Sequence, residues 1–461
     1  MTWHHNLVPN MMKHYLGLSE YHLRQKQQEY PVNYEPEKLI NAHLLVCGMS
    51  GTGKSYQSRQ LLGSAVGAGI EVDVFDVHDE LDGIAGAKAC RYSQATGYGY
   101  NPLALSPDPH TGGPARQAEY LLGLVRESAQ LGIRQDMVLR NLILDTYQLA
   151  GIYPDNPATW QRDNITEAGR RQLREARNWV ALKQYYPTLD DLKDYGRRKL
   201  IALTLGGDNP CITALEQLTR HYKRLSNLQG KYAKASGDGD LDKLGKQIAT
   251  SKEHCTGSYT TFIEAMQTGR ELDDLLKYDS ADTLASVLQR LELLNSAGIF
   301  RANPPPFGSA LARVHQIKSL ASEQQTLFVK LRLQAIFERH KQAGATRSGT
   351  ELRHVIFLDE AHKFFRKDND DIINVVAREA RKFGIGLWCA SQNPTDFPDS
   401  FLTNVGATII LGLHESHRQM AASKLGISRE TLKYIRPKQA MAVQLRRDGL
   451  ASPPFGNVVV G

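Results

Sequence analysis

No stretch of this chain approaches the roughly 18 consecutive apolar residues that a membrane-spanning helix needs. Nothing in it is therefore expected to cross a bilayer, and any membrane role is expected to be peripheral. Cysteine is scarce, with five (Cys47, Cys90, Cys211, Cys255, Cys389) in 461 residues and no Cys-x-x-Cys pair. That spacing excludes a disulfide framework and fits a reduced, cytoplasmic protein. The first thirty residues lack the basic start and apolar core of a secretory leader, so none is expected. Internal repeats and low-complexity tracts are absent too. What remains is ordinary for a globular chain: 23% charged and 41% hydrophobic residues, with length for two or three cores. A net charge of +7 leans towards a polyanionic partner without establishing one.

Against this background "LLVCGMSGTGKSYQ" (44–57) stands out. Gly48, Gly51, Gly53, Lys54 and Ser55 fit G-x-x-x-x-G-K-[ST], the phosphate-binding P-loop. The glycines allow the backbone N–H groups from Gly48 through Met49, Ser50, Gly51, Thr52 and Gly53 to face one anion, at the positive end of the helix that follows. Lys54 is expected to reach the β/γ-phosphates of ATP, and the Ser55 hydroxyl to hold Mg²⁺. An apolar strand at 42–47 and a helix at 54–68 give the motif the setting it requires.

The second signal is "HVIFLDEAHKFF" (354–365), an apolar strand running into Asp359 and Glu360. Carboxylates at a strand's C-terminal end lie where open α/β sheets bind ligands. Asp359 is placed to hold Mg²⁺ through water, and Glu360 to orient and deprotonate a water that attacks the γ-phosphate. "GIGLWCASQNP" (384–394) is a buried strand ending in Ser391 and Gln392. Gln392 is a candidate to sense the γ-phosphate or position that water; the competing reading is an amide capping a turn. Arg381 closes a helix with Arg378 and Lys382. It is either an arginine finger, in its own or a neighbouring subunit, or a cation at a helix C-terminus. Asp76, His78, Asp79 and Glu80 supply no closed metal set and are expected at the edge of the site, with Asp76 near the nucleotide or Mg²⁺. After Glu360, Lys363, Arg366 and Lys367 beside Phe364 and Phe365 suit a phosphate grip with little base specificity, or a solvated loop.

The chain is expected to divide into a polar, partly helical lead-in (1–36) that ends in a loop at "YPVNYEP", a P-loop half (37–125), an all-helical insertion (126–300) and an Asp-Glu half (301–461). Strands are expected at 71–76, 312–317, 354–359, 384–391, 406–412 and 439–445, and one helix at 125–152. Leu215, Leu218, Tyr222, Leu225 and Tyr232, then Leu241, Leu244 and Ile248, predict two antiparallel helices joined at "SGDGD" (236–240).

The stretch 41–81 resembles the opening of the HerA–FtsK superfamily of ring-forming P-loop motors. "YNPLAL" (100–105) and 297–337 are similar to segments of its conjugation and type IV secretion ATPases. Residues 355–397 resemble its Walker B strand, arginine-lysine motif and glutamine strand. The likeness spans about 40–460 apart from the helical insertion. It implies an α/β, RecA-like P-loop core with a parallel-rich sheet, in which the glutamine strand lies between the P-loop and Asp-Glu strands. It also implies homo-hexamers with ATP at subunit interfaces and a polymer threaded through the pore. The chain departs from that pattern in having only some 40 residues before the P-loop. Neither the HerA β-barrel nor the coupling ATPases' membrane helices are expected, which leaves peripheral contact with a membrane complex or a partner nuclease open. Two functions follow: an ATP-driven motor on double-stranded DNA (mobile-element transfer, DNA processing or defence), or a secretion ATPase acting on protein at a membrane complex. A nucleotide-gated switch fits less well, because Glu360 and Gln392 form a hydrolytic set.

Overall fold

The computed structural model describes residues 11–205, 210–234, 238–265, 277–296, 298–346, 351–366, 368 and 371–460. The chain forms two compact units, one made of Met1–Tyr100 with Ala297–Gly461, the other of Asn101–Ser296.

The first unit is built on one eleven-stranded sheet. Its strands are β1 (His14–Ser19), β2 (Pro31–Tyr34), β3 (Leu44–Gly48), β4 (Glu71–Asp76), β5 (Ala87–Arg91), β6 (Ala312–Gln316), β7 (His354–Leu358), β8 (Ile385–Ser391), β9 (Ala407–Gly412), β10 (Ala440–Leu445) and β11 (Gly456–Val459). Their order is β2-β1-β11-β10-β9-β3-β8-β7-β4-β6-β5. From β9 to β5 every pairing is parallel. From β9 to β2 every pairing is antiparallel. Strands β3, β7, β8 and β9 are buried along their whole length. That is why they read as unbroken apolar runs: a parallel sheet is covered on both faces. The glutamine strand β8 lies between β3 and β7, as the resemblance implied. Helices α1 (Glu20–Gln25), α2 (Lys54–Gly67), α11 (Ser322–Gln342) and α12 (Ile372–Glu379) belong to this unit.

Two expectations for this unit need correction. The lead-in holds a short helix, α1, as expected, but the rest of its described residues build a sheet edge rather than end in a loop: β1 pairs with β11 through Leu18–Val459, and Pro31–Tyr34 within "YPVNYEP" is a strand. Its proline is tolerated because β2 is the outermost strand and Pro31 its first residue. Phe364 and Phe365 are not part of an exposed grip. Phe364 is fully buried, and Phe365 packs on Phe397 and Phe401.

The second unit is helical: α3 (Pro114–Ser128), α4 (Ile133–Leu149), α5 (Glu167–Glu175), α6 (Trp179–Leu182), α7 (Leu189–Leu205), α8 (Pro210–Tyr232), α9 (Asp238–Ala265) and α10 (Ala281–Leu294). It begins at Asn101 rather than 126, because α3 packs on α4 and α10. The single helix expected at 125–152 is two. Gly132 is extended (φ −79°, ψ 160°) and donates its N–H to Gln135 Oε1 at 2.9 Å, which starts α4 afresh. The pair α8 and α9 forms the expected hairpin, although Tyr222 and Tyr232 point to solvent rather than into its seam. Residues 235–237, which include part of the "SGDGD" tip, lie outside the described residues. Among the described residues, no helix is long and apolar enough to cross a membrane.

Candidate nucleotide site

The loop after β3 is shaped by close approach. A Cβ on Gly48 would lie 2.4 Å from Thr52 Oγ1, because Thr52 folds back to donate that hydroxyl to the Met49 carbonyl at 2.8 Å. Gly53 sits at φ 99°, a left-handed conformation that glycine adopts without a Cβ clash, and it caps α2. Lys54 and Ser55 are thus the first residues of a fourteen-residue helix and share its positive end.

β7, two strands along, delivers the carboxylates. The Asp359 N–H is held by the Phe75 carbonyl at 3.1 Å, which fixes the chain as it leaves the sheet. Glu360 follows at φ 46°, ψ 44°, a strained left-handed backbone for a residue with a long side chain. That turn aims its carboxylate at the P-loop, and Lys54 Nζ donates to Glu360 Oε1 at 2.6 Å with the two side chains only 12% and 4% exposed. Burial drives the Glu360 carboxyl up, but the hydrogen bond and charge of Lys54, helped by His362 and His78, outweigh it and leave it below the usual range. Asp359 goes the other way. Burial, then the charges of Glu360 and Asp76, raise it against the pull of Lys54. The environments thus push the two neighbouring carboxyls apart, Glu360 downward and Asp359 upward to about 6.

The loop after β4 closes another side. Asp76 is fully buried, and its oxygens accept from the His78 N–H at 3.1 Å and the Leu81 N–H at 2.8 Å. It shapes the loop while its charge is felt at Asp359. Asp79 pairs with Arg91 at 3.0 Å. Glu80 is the residue that enters the site, accepting from Ser55 Oγ at 2.8 Å.

At the end of β8, Ser391 is buried and Gln392 exposed. The link from this strand to the carboxylates is His362, whose Nδ1 lies 3.0 Å from Ser391 Oγ and 3.5 Å from Glu360 Oε2. Sequence reasoning missed His362 and gave Glu80 no contact. The available signal was their place, one just after the Asp-Glu pair and the other just after a strand that feeds the same sheet edge.

Arg381 is not brought to the site. It precedes β8, whose seven residues at about 3.3 Å each put it roughly 20 Å from the P-loop end of the sheet. There it donates to Asp448 Oδ2 at 3.3 Å. A role in its own subunit's site is therefore excluded by geometry. Lys363 ends the short 3-10 turn after Glu360 and is half-buried, Arg366 is exposed, and Lys367 lies outside the described residues.

The donor set fits the expected ligands. The Gly48 cradle leaves no room for a side chain, while open space surrounds Gly51. Among the described residues no group of three His, Cys, Asp or Glu side chains could hold a metal ion by itself. A Mg²⁺ ion takes one or two protein oxygens and fills its octahedron with phosphates and water, so the Ser55 hydroxyl and the Asp359 carboxylate would be the residues to hold it.

A parallel sheet that sets a glycine-rich phosphate loop against an Asp-Glu pair, with a third strand between them, defines a P-loop NTPase with a RecA-like core. The family can be stated as well. Residues 22–336 match the family described as "Helicase HerA, central domain", and residues 328–427 match "Helicase HerA-like C-terminal". The chain belongs to the HerA family. Among solved structures it is similar to VirB4 of Thermoanaerobacter pseudethanolicus, with a TM-score of 0.59 and 14% identity over 97% of this chain and 96% of that one. It is also similar to the bacterial conjugative coupling protein TrwB (TM-score 0.47, 11% identity, 97% and 93% of the two chains). TrwB in complex with ADP and Mg²⁺ gives a TM-score of 0.45 at 11% identity over 97% and 94%. No curated protein matches the sequence.

Proposed function

We propose that this chain is an ATP-hydrolysing ring motor that moves double-stranded DNA. The observation that carries the reading is the Lys54–Glu360 contact, which joins the phosphate-binding cation to an ionised carboxylate. Lys54 neutralises the β/γ-phosphates. Glu360, held below the usual carboxylate range, accepts the proton of the attacking water and orients that water in line. Ser55 and Asp359 hold Mg²⁺, which when bound would spread the charge on the phosphates. His362, hydrogen-bonded to Ser391, keeps the Glu360 carboxylate facing the loop and relays its position to β8 and Gln392. Hydrolysis so coupled to a strand end gives a motor rather than a switch. Arg381, remote from its own site, serves the neighbouring subunit's γ-phosphate in a hexamer. Lys363, Arg366 and Lys367 grip phosphates of the threaded duplex. The net charge of +7 supports a polyanionic cargo.

The test is ATP turnover with and without duplex DNA, on wild type and on Lys363→Ala/Arg366→Ala/Lys367→Ala. Wild type should bind duplex in a salt-dependent manner and turn over faster with it. The triple variant should keep its basal rate and lose that stimulation. A wild type indifferent to duplex DNA at every salt concentration refutes the DNA cargo and moves the protein-secretion reading to the front.

A further inference from the structure

Residues 220–234 hold five cations, Arg220, Lys223, Arg224, Lys231 and Lys234, and no Asp or Glu. Four lie on α8, and Lys234 follows its last turn. At 3.6 residues per turn they fall within about 100° around the helix and along about 21 Å of its axis. All five are exposed, and none forms an ion pair with a described residue. Several cations elsewhere in the same unit are paired, among them Arg126 with Asp136, Arg140 with Glu119, Arg170 with Asp191 and Arg197 with Glu292.

Helix stability does not account for the pattern, since like charges three and four residues apart repel. The apolar side of α8 is already occupied. Ala214 packs with Phe262 of α9, and Leu225 is buried. What faces outward is a charged rod, and the exposed phenols of Tyr222 and Tyr232 lie off it, about 150° and 130° around the helix from its middle. It offers no continuous apolar stripe to sink into a lipid surface, as an interfacial helix requires. An external polyanion satisfies it. Along 21 Å, one strand of duplex DNA presents about six phosphates at 3.4 Å each.

We propose that this stripe on α8 binds the phosphate backbone of duplex DNA, as a contact separate from the loop after Glu360. It rests on the DNA-motor reading and adds to it a hold on the duplex that does not depend on the nucleotide site. Because phosphates carry no base information, the contact is blind to sequence.

The experiment uses the full chain and the variant Arg220→Gln/Lys223→Gln/Arg224→Gln/Lys231→Gln/Lys234→Gln, with fluorescence anisotropy on labelled duplexes over a salt series. Loss of five phosphate contacts should flatten the slope of log affinity against log salt by up to about 4.5, equally for unrelated sequences. Basal ATP turnover and the circular dichroism spectrum should not change, since the replaced side chains are exposed. A charge-keeping variant, Arg220→Lys/Lys223→Arg/Arg224→Lys, should bind as wild type does. If wild type binds duplex and the glutamine variant keeps its slope, the stripe proposal is overturned and the motor reading stands. If stripe-dependent binding occurs but duplex never stimulates turnover, the motor reading fails and the stripe stands. Stripe-dependent binding to anionic vesicles with none to duplex overturns the proposal in favour of a lipid surface.

Discussion

The Lys54–Glu360 pair can be tested through stability alone. The two residues are 306 positions apart in sequence, and their side chains are nearly excluded from water. In Lys54→Met the Glu360 carboxylate stays buried, with Asp359 beside it and no cation to offset either. Removing one partner of a buried pair costs about 3–5 kcal/mol. At roughly 2–4 °C per kcal/mol for a unit of this size, the unfolding midpoint should drop by about 6–20 °C. Lys54→Met/Glu360→Gln removes both charges and should recover a good part of the loss, giving a coupling of about 2 kcal/mol. Thermal unfolding without nucleotide, followed by circular dichroism at low and moderate salt, measures it. Because the pair is buried, the coupling should change little with salt. Single variants that add to within about 0.5 kcal/mol would mean that the contact is solvent-screened and that the close geometry carries no energy. The same Glu360→Gln chain should hold ATP without turning it over; undiminished turnover would remove Glu360 from its role as base.

Three further outcomes are expected. Arg381→Ala subunits mixed with Lys54→Ala subunits should recover turnover that neither has alone, since a finger acting in trans is worth roughly 10³–10⁵ in rate; full activity of Arg381→Ala by itself leaves the residue as Asp448's partner only. Gly48→Ala, whose Cβ would meet Thr52 Oγ1 at 2.4 Å, should abolish binding of a fluorescent ATP analogue while leaving the unfolding midpoint of the rest nearly unchanged. His43 is buried, accepts the Leu387 N–H at Nδ1 (2.9 Å) and donates from Nε2 to the Ala377 carbonyl (3.0 Å), a pattern only the neutral ring can satisfy. Burial lowers its pKa to about 4, so its contribution is complete above about pH 6.5, where the unfolded chain is neutral too, and is lost as pH falls towards 4. His43→Gln should be less stable at pH 7 and show a shallower decline of the midpoint between pH 6.5 and 4; an unchanged slope refutes the assignment.

By itself the sequence determined the local chemistry and the elements that carry it. The glycine pattern around Lys54, the apolar runs of β3, β7 and β8, and the all-helical stretch are written in neighbouring residues. Turn geometry, helix periodicity and burial on both faces of a strand all leave short-range marks. The order β3-β8-β7 became legible only through family resemblance. Tertiary structure decided what depends on partners far away in the chain. Pro31–Tyr34 is a strand because β1 and β11 complete an edge, and nothing in "PVNY" announces that partner. Phe364 and Phe365 read as an exposed grip beside cations, but they are core, since Phe397 and Phe401 come to meet them. Glu80 meets Ser55, and His362 meets Ser391, across gaps of sequence that no local pattern spans. Arg381 was placed near catalysis by its motif and moved away from it by the length of β8. Covalent neighbours fix which chemistry a segment can perform. Strand order and length fix which segments perform it together, because only the folded sheet sets the distances at which charge and hydrogen bonding act.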